Sequence, residues 1–382
     1  MMDGMPLEAL TKRELLQLAR ERSLPGRSAM TKGELIDALT EAEPPSSGTD
    51  RIEARARREA LYGRLALLVD RTHRCPWVSL EGHPCGLPVV AGHDACGLHG
   101  GGDIFDAGVP LTGKLGFDTW PVLWRHLFLA TYDIDPIGLD PVVAEMAWHI
   151  ANGLYFDYFR VDVEGIENVP MDRPALVVAN HGGAALPYDG AMLNLAVMNE
   201  APMPRRVRVV GTEVFNMLPL VSHLYRKAGA AYATRDDARL LLERGHLVGV
   251  FPEGERGFMK PVWEAYRLQR FGRGGFVELA EEAKAPIVPV AIIGSEEVHP
   301  AVMVSKRLAR LVRLVLPEQR VEEMAIFLNP IPLPVRWHLR FLDPVEPHGD
   351  ADPLAMLERS EEIRRSIQSA LDAMLAERRT AF

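Results

Sequence analysis

The sequence predicts an α/β protein, with a mixed, mostly parallel sheet flanked by helices, preceded by a small all-α module and a zinc-knuckle-like insert. Three observations carry this reading. Beyond residue 160, short runs rich in Val and Ile alternate with stretches of helical periodicity; residues 7–42 hold two short amphipathic patterns; and every cysteine lies between residues 75 and 96. With 382 residues, 47% hydrophobic and 25% charged, the chain is long enough for two or three units and apolar enough to bury real cores. The expected divisions are a helical module at 1–45, a helix with a cysteine-rich segment at 51–101, a helical lead-in at 102–160 and the α/β domain at 161–382.

In the first segment, LEALTKRELLQLARER and MTKGELIDALTEA flank the Pro25-Gly26 turn signal. Thr11 and Thr31 stand at helix-capping positions, with Glu14 and Glu34 three residues on. The arrangement resembles SAP-like or Rho-N-like modules, which often bind nucleic acid. Basic and acidic residues nearly balance here, which favours a docking role instead. EPPSSGTD (43–50) has the composition of a linker, and RIEARARREALYGRLALLVD after it reads as a helix.

Cys75, Cys85 and Cys96 follow, with His99 in the same turn as the last. Three thiolates and an imidazole complete a tetrahedral zinc shell, closed and therefore structural. The intervals of nine and ten residues are wider than in common zinc fingers. His73, His83 and His93 are alternative fourth ligands, and three reduced structural cysteines are the plainer account. An odd cysteine count in one short stretch argues against a secreted disulfide framework.

A formal charge of −9 exerts no global pull toward nucleic acid or anionic lipid. No run of about 18 apolar residues and no signal-peptide pattern stands in the sequence, so the expected location is cytoplasmic, against the inner face of a membrane. The membrane contact is expected from SKRLARLVRLVLPEQR (305–320), where Lys306, Arg307, Arg310 and Arg313 alternate with Leu and Val. The Trp- and Phe-rich stretch at 104–160 reads as helical core, part of it placed to lie against lipid.

ALVVA (175–179), RVRVV (206–210), LVGVF (247–251) and IVPVAII (287–293) are the expected strands, and AMLNLAVMNE, DARLLLERG and GGFVELAEEAK the intervening helices. In such sheets ligands gather at the carboxyl ends of strands. The first run leads into Asn180-His181 and the third into Pro252-Glu253-Gly254, which makes two adjacent strand exits a candidate site.

These segments resemble the glycerolipid acyltransferase superfamily, of which lysophosphatidic-acid acyltransferases are the best-known members. ANHGGAALPYDG (179–190), GAAYATRDDARLLLERG (229–245), VFPEGERG (250–257) and APIVPVAIIGSEE (285–297) match four of its motifs in order, with FRVDVEGIENVP (159–170) and LPVRWHLRFLDPVEP (333–347) resembling a lead-in strand and a closing segment. The resemblance implies transfer of a fatty acyl group from acyl-CoA or acyl carrier protein to a glycerolipid acceptor, lysophosphatidate-like or a mono- or diacylglycerol. No redox or organic cofactor is implied. His181 is then the general base and Asp189 its orienting carboxylate, while Arg235, Glu253, Gly254 and Asn180 become substrate-binding residues. Glu253 binds acceptor hydroxyls or orders the loop that carries Arg235, and Pro289 shapes the thioester side. The common motif has four residues between His and Asp, whereas seven separate His181 from Asp189. That departure supports the other reading, a lipid-sensing or nucleic-acid- or protein-binding scaffold with an inactive acyltransferase domain. No Gly-x-Ser-x-Gly elbow, P-loop or His-Glu-x-x-His motif occurs.

Overall fold

The computed structural model describes residues 47–67, 69–78, 82, 84–96, 99, 120–128, 135–183, 186–202, 204–211, 224–272, 274–307, 309–310, 324–349, 352–378 and 381, together with Thr11, Lys12, Leu15, Thr31, Lys32, Gly33 and Ile36. Two compact units, residues 1–57 and 58–382, make up the chain. In the first, Lys12 and Leu15, and Lys32, Gly33 and Ile36, are helical and follow directly on Thr11 and Thr31. The remainder of the reading of residues 1–45 lies outside the described residues. Helix α1 (Ser47–Ala66) takes in the end of the segment read as a linker.

In the second unit, strands β1 (Val69–Arg74) and β2 (Pro88–Val90) form an antiparallel hairpin. Two helices follow, α2 (Trp120–Phe128) and α3 (Pro141–Asn152). The start of α3 is set by Asp140, whose side chain accepts hydrogen bonds from the Val142 and Val143 amides, and by Pro141 in the first turn. A wider turn, Gly153–Tyr158, leads from α3 to the sheet.

The sheet has seven strands. They are β3 (Asp162–Glu164), β4 (Ala175–Ala179), β5 (Val207–Gly211), β6 (Ala231–Tyr232), β7 (Leu247–Val250), β8 (Ile287–Ile293) and β11 (His338–Phe341), in the order β3-β11-β8-β4-β7-β5-β6. Only the β11–β8 pairing is antiparallel. A separate antiparallel pair, β9 (Ala301–Ser305) and β10 (Met324–Phe327), leaves the sheet beyond β8. The basic segment at 305–320 begins as helix at Lys306 and Arg307, and beyond Arg310 it lies outside the described residues.

Alternation along the strands divides the core in two. Ala175, Val177 and Ala179 of β4, with Val288, Val290 and Ile292 of β8, face Trp148 of α3, the aromatic turn (Tyr155, Phe156) and helix α4 (Tyr188–Glu200). Leu176 and Val178, with Ile287, Ala291 and Ile293, face helices α5 (Arg235–Glu243), α7 (Gly275–Ala283) and α8 (Pro353–Glu377). A short helix, α6 (Gly254–Phe258), follows β7. Because β8, β4 and β7 are adjacent and parallel, their carboxyl ends release Gly294-Ser295-Glu296, Asn180-His181 and Phe251-Pro252-Glu253 side by side.

Candidate active site

His181 Nδ1 lies 2.5 Å from Asp189 Oδ2. The carboxylate is fully buried and accepts the Gly182 amide on Oδ2 (2.9 Å) and the Gly190 amide on Oδ1 (2.8 Å). Asp189 stands in the first turn of α4, where the helix N-terminus favours negative charge. Two glycines begin the long His–Asp interval. Gly183 has φ +118°, and a Cβ there would meet the Leu186 carbonyl at 2.8 Å; a Cβ on Gly182 would come within 2.4 Å of Glu296 Cγ. Phe251 stacks on the imidazole at 4.6 Å and Phe258 tilts against it at 4.8 Å. With Nδ1 committed to Asp189, Nε2 is the ring nitrogen left for a substrate proton.

Glu253 is the second fixed point. Its Oε1 accepts the His181 amide at 2.9 Å, and its Oε2 accepts the Gln269 amide at 2.7 Å and the Lys260 ammonium at 3.3 Å. Lys260 also bonds Glu296 Oε1 at 2.8 Å, and Glu296 Oε2 accepts the Tyr266 amide at 2.9 Å. All three charges are buried. Burial pushes the Glu296 carboxyl up to about 7 despite the opposing pull of Lys260. Burial also acts against the Lys260 ammonium, but the two carboxylates outweigh it and raise its pKa. One cation between two carboxylates thus ties the exits of β7 and β8 to the backbone of His181. Glu253 spends its oxygens on His181, Lys260 and Gln269, none of which belongs to the Gly…Arg block at 229–245.

The other expected residues are placed differently. Asn180 is buried and its amide bonds both the Ile292 amide (2.7 Å) and the Ile292 carbonyl (2.9 Å), prolonging the β4–β8 ladder by one side chain. Gly254 has φ +60° and opens α6, a conformation that suits glycine. Arg235 follows the Thr234 cap on α5, is half exposed, and pairs with Glu278 (2.8 Å) and Glu282 (2.6 Å) of α7. It therefore belongs to the helical layer on the other face of the sheet from α4. Sequence reasoning missed Lys260 and Glu296. Glu296 lay within the matched block after β8, whereas nothing in the spacing marked Lys260.

Two spaces are lined by residues next to this centre. An apolar cavity of about 350 Å³ is lined by Ala144, Ala147 and Trp148 of α3, by Tyr188 and Gly190 on either side of Asp189, and by Tyr225 among others. Burial, and then the Asp189 charge, pushes the Tyr225 phenol up to about 12. A polar cleft of about 810 Å³ is lined by Glu253, Lys260, Arg256, Gln269 and Lys306.

Away from this centre, Cys75, Cys85, Cys96 and His99 converge, with their ligand atoms all within 4.8 Å of one another. His99 Nδ1 is 3.5 Å from Cys75 Sγ and 3.4 Å from Cys96 Sγ, and Cys85 Sγ is 3.7 Å from Cys96 Sγ. The cysteines are unbridged and buried. The hydrogen bond from Cys96, followed by the influence of His99, outweighs burial and holds the Cys85 thiol down at about 4.

Comparison with known proteins reaches most of the matched blocks. Residues 160–293 match the Acyltransferase family. The chain is 41% identical over 265 residues to an uncharacterized protein of Mycobacterium tuberculosis, covering 68% of this chain and 74% of that one. The human DGAT1/2-independent enzyme synthesizing storage lipids is 30% identical over 129 residues, 34% of this chain and 38% of that one. The 1-acyl-sn-glycerophosphate acyltransferase PlsC of Thermotoga maritima aligns with a TM-score of 0.43 at 18% identity, covering 67% of this chain and 88% of that one. On the strength of the matched domain and the mycobacterial relative, the chain belongs to the acyltransferase family.

Proposed function

We propose that the protein is an O-acyltransferase that moves a fatty acyl group from a thioester, acyl-CoA or acyl carrier protein, to the hydroxyl of a glycerolipid. The observation that carries this reading is the position of the His181–Asp189 pair. It adjoins an apolar cavity through Tyr188 and Gly190 and a polar cleft through Glu253. An acyl chain suits the first space and an acceptor headgroup the second. Asp189 holds the proton on Nδ1, so Nε2 takes the acceptor's hydroxyl proton as its oxygen attacks the thioester carbonyl. The carbon–oxygen bond forms, the carbon–sulfur bond breaks, and the proton passes to the departing thiolate. Glu253, through the His181 amide, positions the base. Arg256 and Lys306 line the polar cleft beside Glu253, Glu255 and Glu264, and the Arg256 guanidinium is the group there suited to an acceptor phosphate.

Membrane contact fits a different element from the basic segment at 305–320. On α2, Val122, Leu123 and His126 are buried, while Trp120, Trp124 and Phe128 are exposed at successive turns, Trp124 and Phe128 with ring centroids 4.3 Å apart. Such a ridge suits the headgroup boundary of a bilayer. Among the described residues no helix is long and apolar enough to cross one.

The test is incubation of the purified protein with one labelled acyl-CoA, and separately with its acyl carrier protein thioester, and a mixture of lysophosphatidate, monoacylglycerol and diacylglycerol. Lipid mass spectrometry is expected to show an acyl ester on at least one acceptor. Absence of any acylated product with every donor and acceptor, from folded protein, would favour the scaffold reading.

A further inference from the structure

We propose that Cys75, Cys85, Cys96 and His99 form a closed structural zinc site that clamps the α2–α3 pair and so sets one wall of the apolar cavity. Neither the acyl-transfer chemistry nor the acyltransferase match at 160–293 includes these residues.

Geometry is the first argument. Tetrahedral zinc with Zn–S of about 2.3 Å and Zn–N of about 2.0–2.1 Å requires sulfur–sulfur edges of ~3.8 Å and sulfur–nitrogen edges of ~3.6 Å. The Cys85–Cys96 separation of 3.7 Å and the two sulfur–Nδ1 separations of 3.5 and 3.4 Å have those lengths. The backbone brings the ligands together from three places. Cys75 leaves β1 and its amide bonds the Leu87 carbonyl; Cys85 precedes β2 and its amide bonds the Trp77 carbonyl; and the His99 amide bonds the Cys96 carbonyl in a single turn. Trp77 stacks on the His99 ring at 4.0 Å and 11°, fixing the face that Nδ1 presents.

Chemistry is the second. Three thiolates and a neutral imidazole around the dication leave a net charge of −1. The Arg125 guanidinium, which donates to the Cys85 carbonyl at 3.2 Å, offsets it. Four protein ligands, with the cysteines no more than 5% exposed, leave no position for substrate.

Position gives the site its consequence. Cys75, Cys85, Leu87 and Cys96 pack in one cluster with Val122 and Leu123 of α2 and Val142 of α3. The same α3 presents Ala144, Ala147, Trp148 and Ala151 to the cavity. Metal binding therefore holds the helix whose opposite face shapes that space. This last step rests on the acyltransferase reading, whereas metal occupancy does not.

The test is metal analysis of full-length protein purified without chelator, with cobalt(II) substitution as a second readout. One zinc per chain is expected, along with the visible absorption of a tetrahedral cobalt–thiolate centre. Cys85→Ser/Cys96→Ser should lose both signals, and His99→Cys, which makes a four-sulfur shell, should keep them. Removing zinc from the wild type should lower its thermal midpoint and alter acyl-chain selectivity while His181 remains in place. Folded wild type that neither carries nor takes up zinc, or equal zinc in the double variant, would overturn the site. Zinc loss with unchanged stability and selectivity would overturn the clamp alone, and zinc binding without any acyl transfer would leave the site standing and remove the acyltransferase reading.

Discussion

At the scale of single residues, the account depends on which hydrogen bonds hold the imidazole. Asp189 is itself fixed by two backbone amides, so Asp189→Asn should keep the fold but lose control of the tautomer. Acyl transfer is expected to fall by about 10²–10⁴-fold, the range of a general acid–base contribution, with acceptor KM little changed in steady-state kinetics. Arg235 and Arg256 separate two views of acceptor binding. Arg235 is engaged in half-exposed ion pairs in the helical layer on the other face of the sheet from α4. Arg235→Ala should therefore leave KM little changed, whereas Arg256→Ala should raise KM for lysophosphatidate more than for a neutral glyceride. The opposite ranking would return the acceptor phosphate to Arg235. Glu296 gives a pH test. Its carboxyl is raised from 4.5 to about 7, so the folded chain retains a proton that the unfolded chain has released between those values. The stability linked to it is complete below pH 4.5 and lost as pH rises through 7. Glu296→Gln should flatten denaturation midpoints measured across that window, and an unchanged slope would count against the buried network.

At the scale of elements, the sequence was legible where strands are buried on both faces. ALVVA and IVPVAII coincide with β4 and β8 because continuous Val and Ile runs of that length have few other uses. The exits of β4 and β7 could be paired from the same alternation, which placed His181 and Glu253 together before any contact was known. Proline in β8 was a harder case. Pro289 lies opposite Val178 in a central strand, a place the missing amide usually forbids, and the strand persists through its remaining ladder bonds and the bond from the Leu342 amide to the Pro289 carbonyl. The contacts of Arg235 were not legible for a physical reason: a motif match fixes a position along the chain, while the cap at Thr234 and the acidic face of α7 decide where the side chain goes. Lys260 was invisible because its partners are 7 and 36 residues away and meet only after three strands align. On α3, Ala147 faces the apolar cavity. Ala147→Leu should move acyl-chain preference toward shorter donors in competition assays, and an unaltered product profile would show that the chain binds elsewhere.

At the scale of the whole molecule, an apolar cavity and a polar cleft are lined by residues neighbouring the His181–Asp189 pair, an arrangement suited to a reaction between an acyl chain and a polar acceptor. The sequence marks 104–160 as helical core with a part placed to lie against lipid, but not which aromatic side chains are exposed, since Trp120, Trp124 and Phe128 are sequence neighbours of the buried Val122 and Leu123 and differ from them only in the direction they face. Trp120→Ser/Trp124→Ser should weaken sedimentation with phospholipid vesicles while transfer between detergent-dispersed substrates is kept; equal binding to vesicles would move the membrane face elsewhere. The most direct test of the central claim is single-turnover acyl transfer by the wild type and by His181→Ala, with folding of both verified by circular dichroism. The wild type should esterify a glycerolipid acceptor and the variant should lose about 10²–10⁴-fold of that rate; a His181→Ala protein that transfers acyl groups at the wild-type rate would contradict the mechanism.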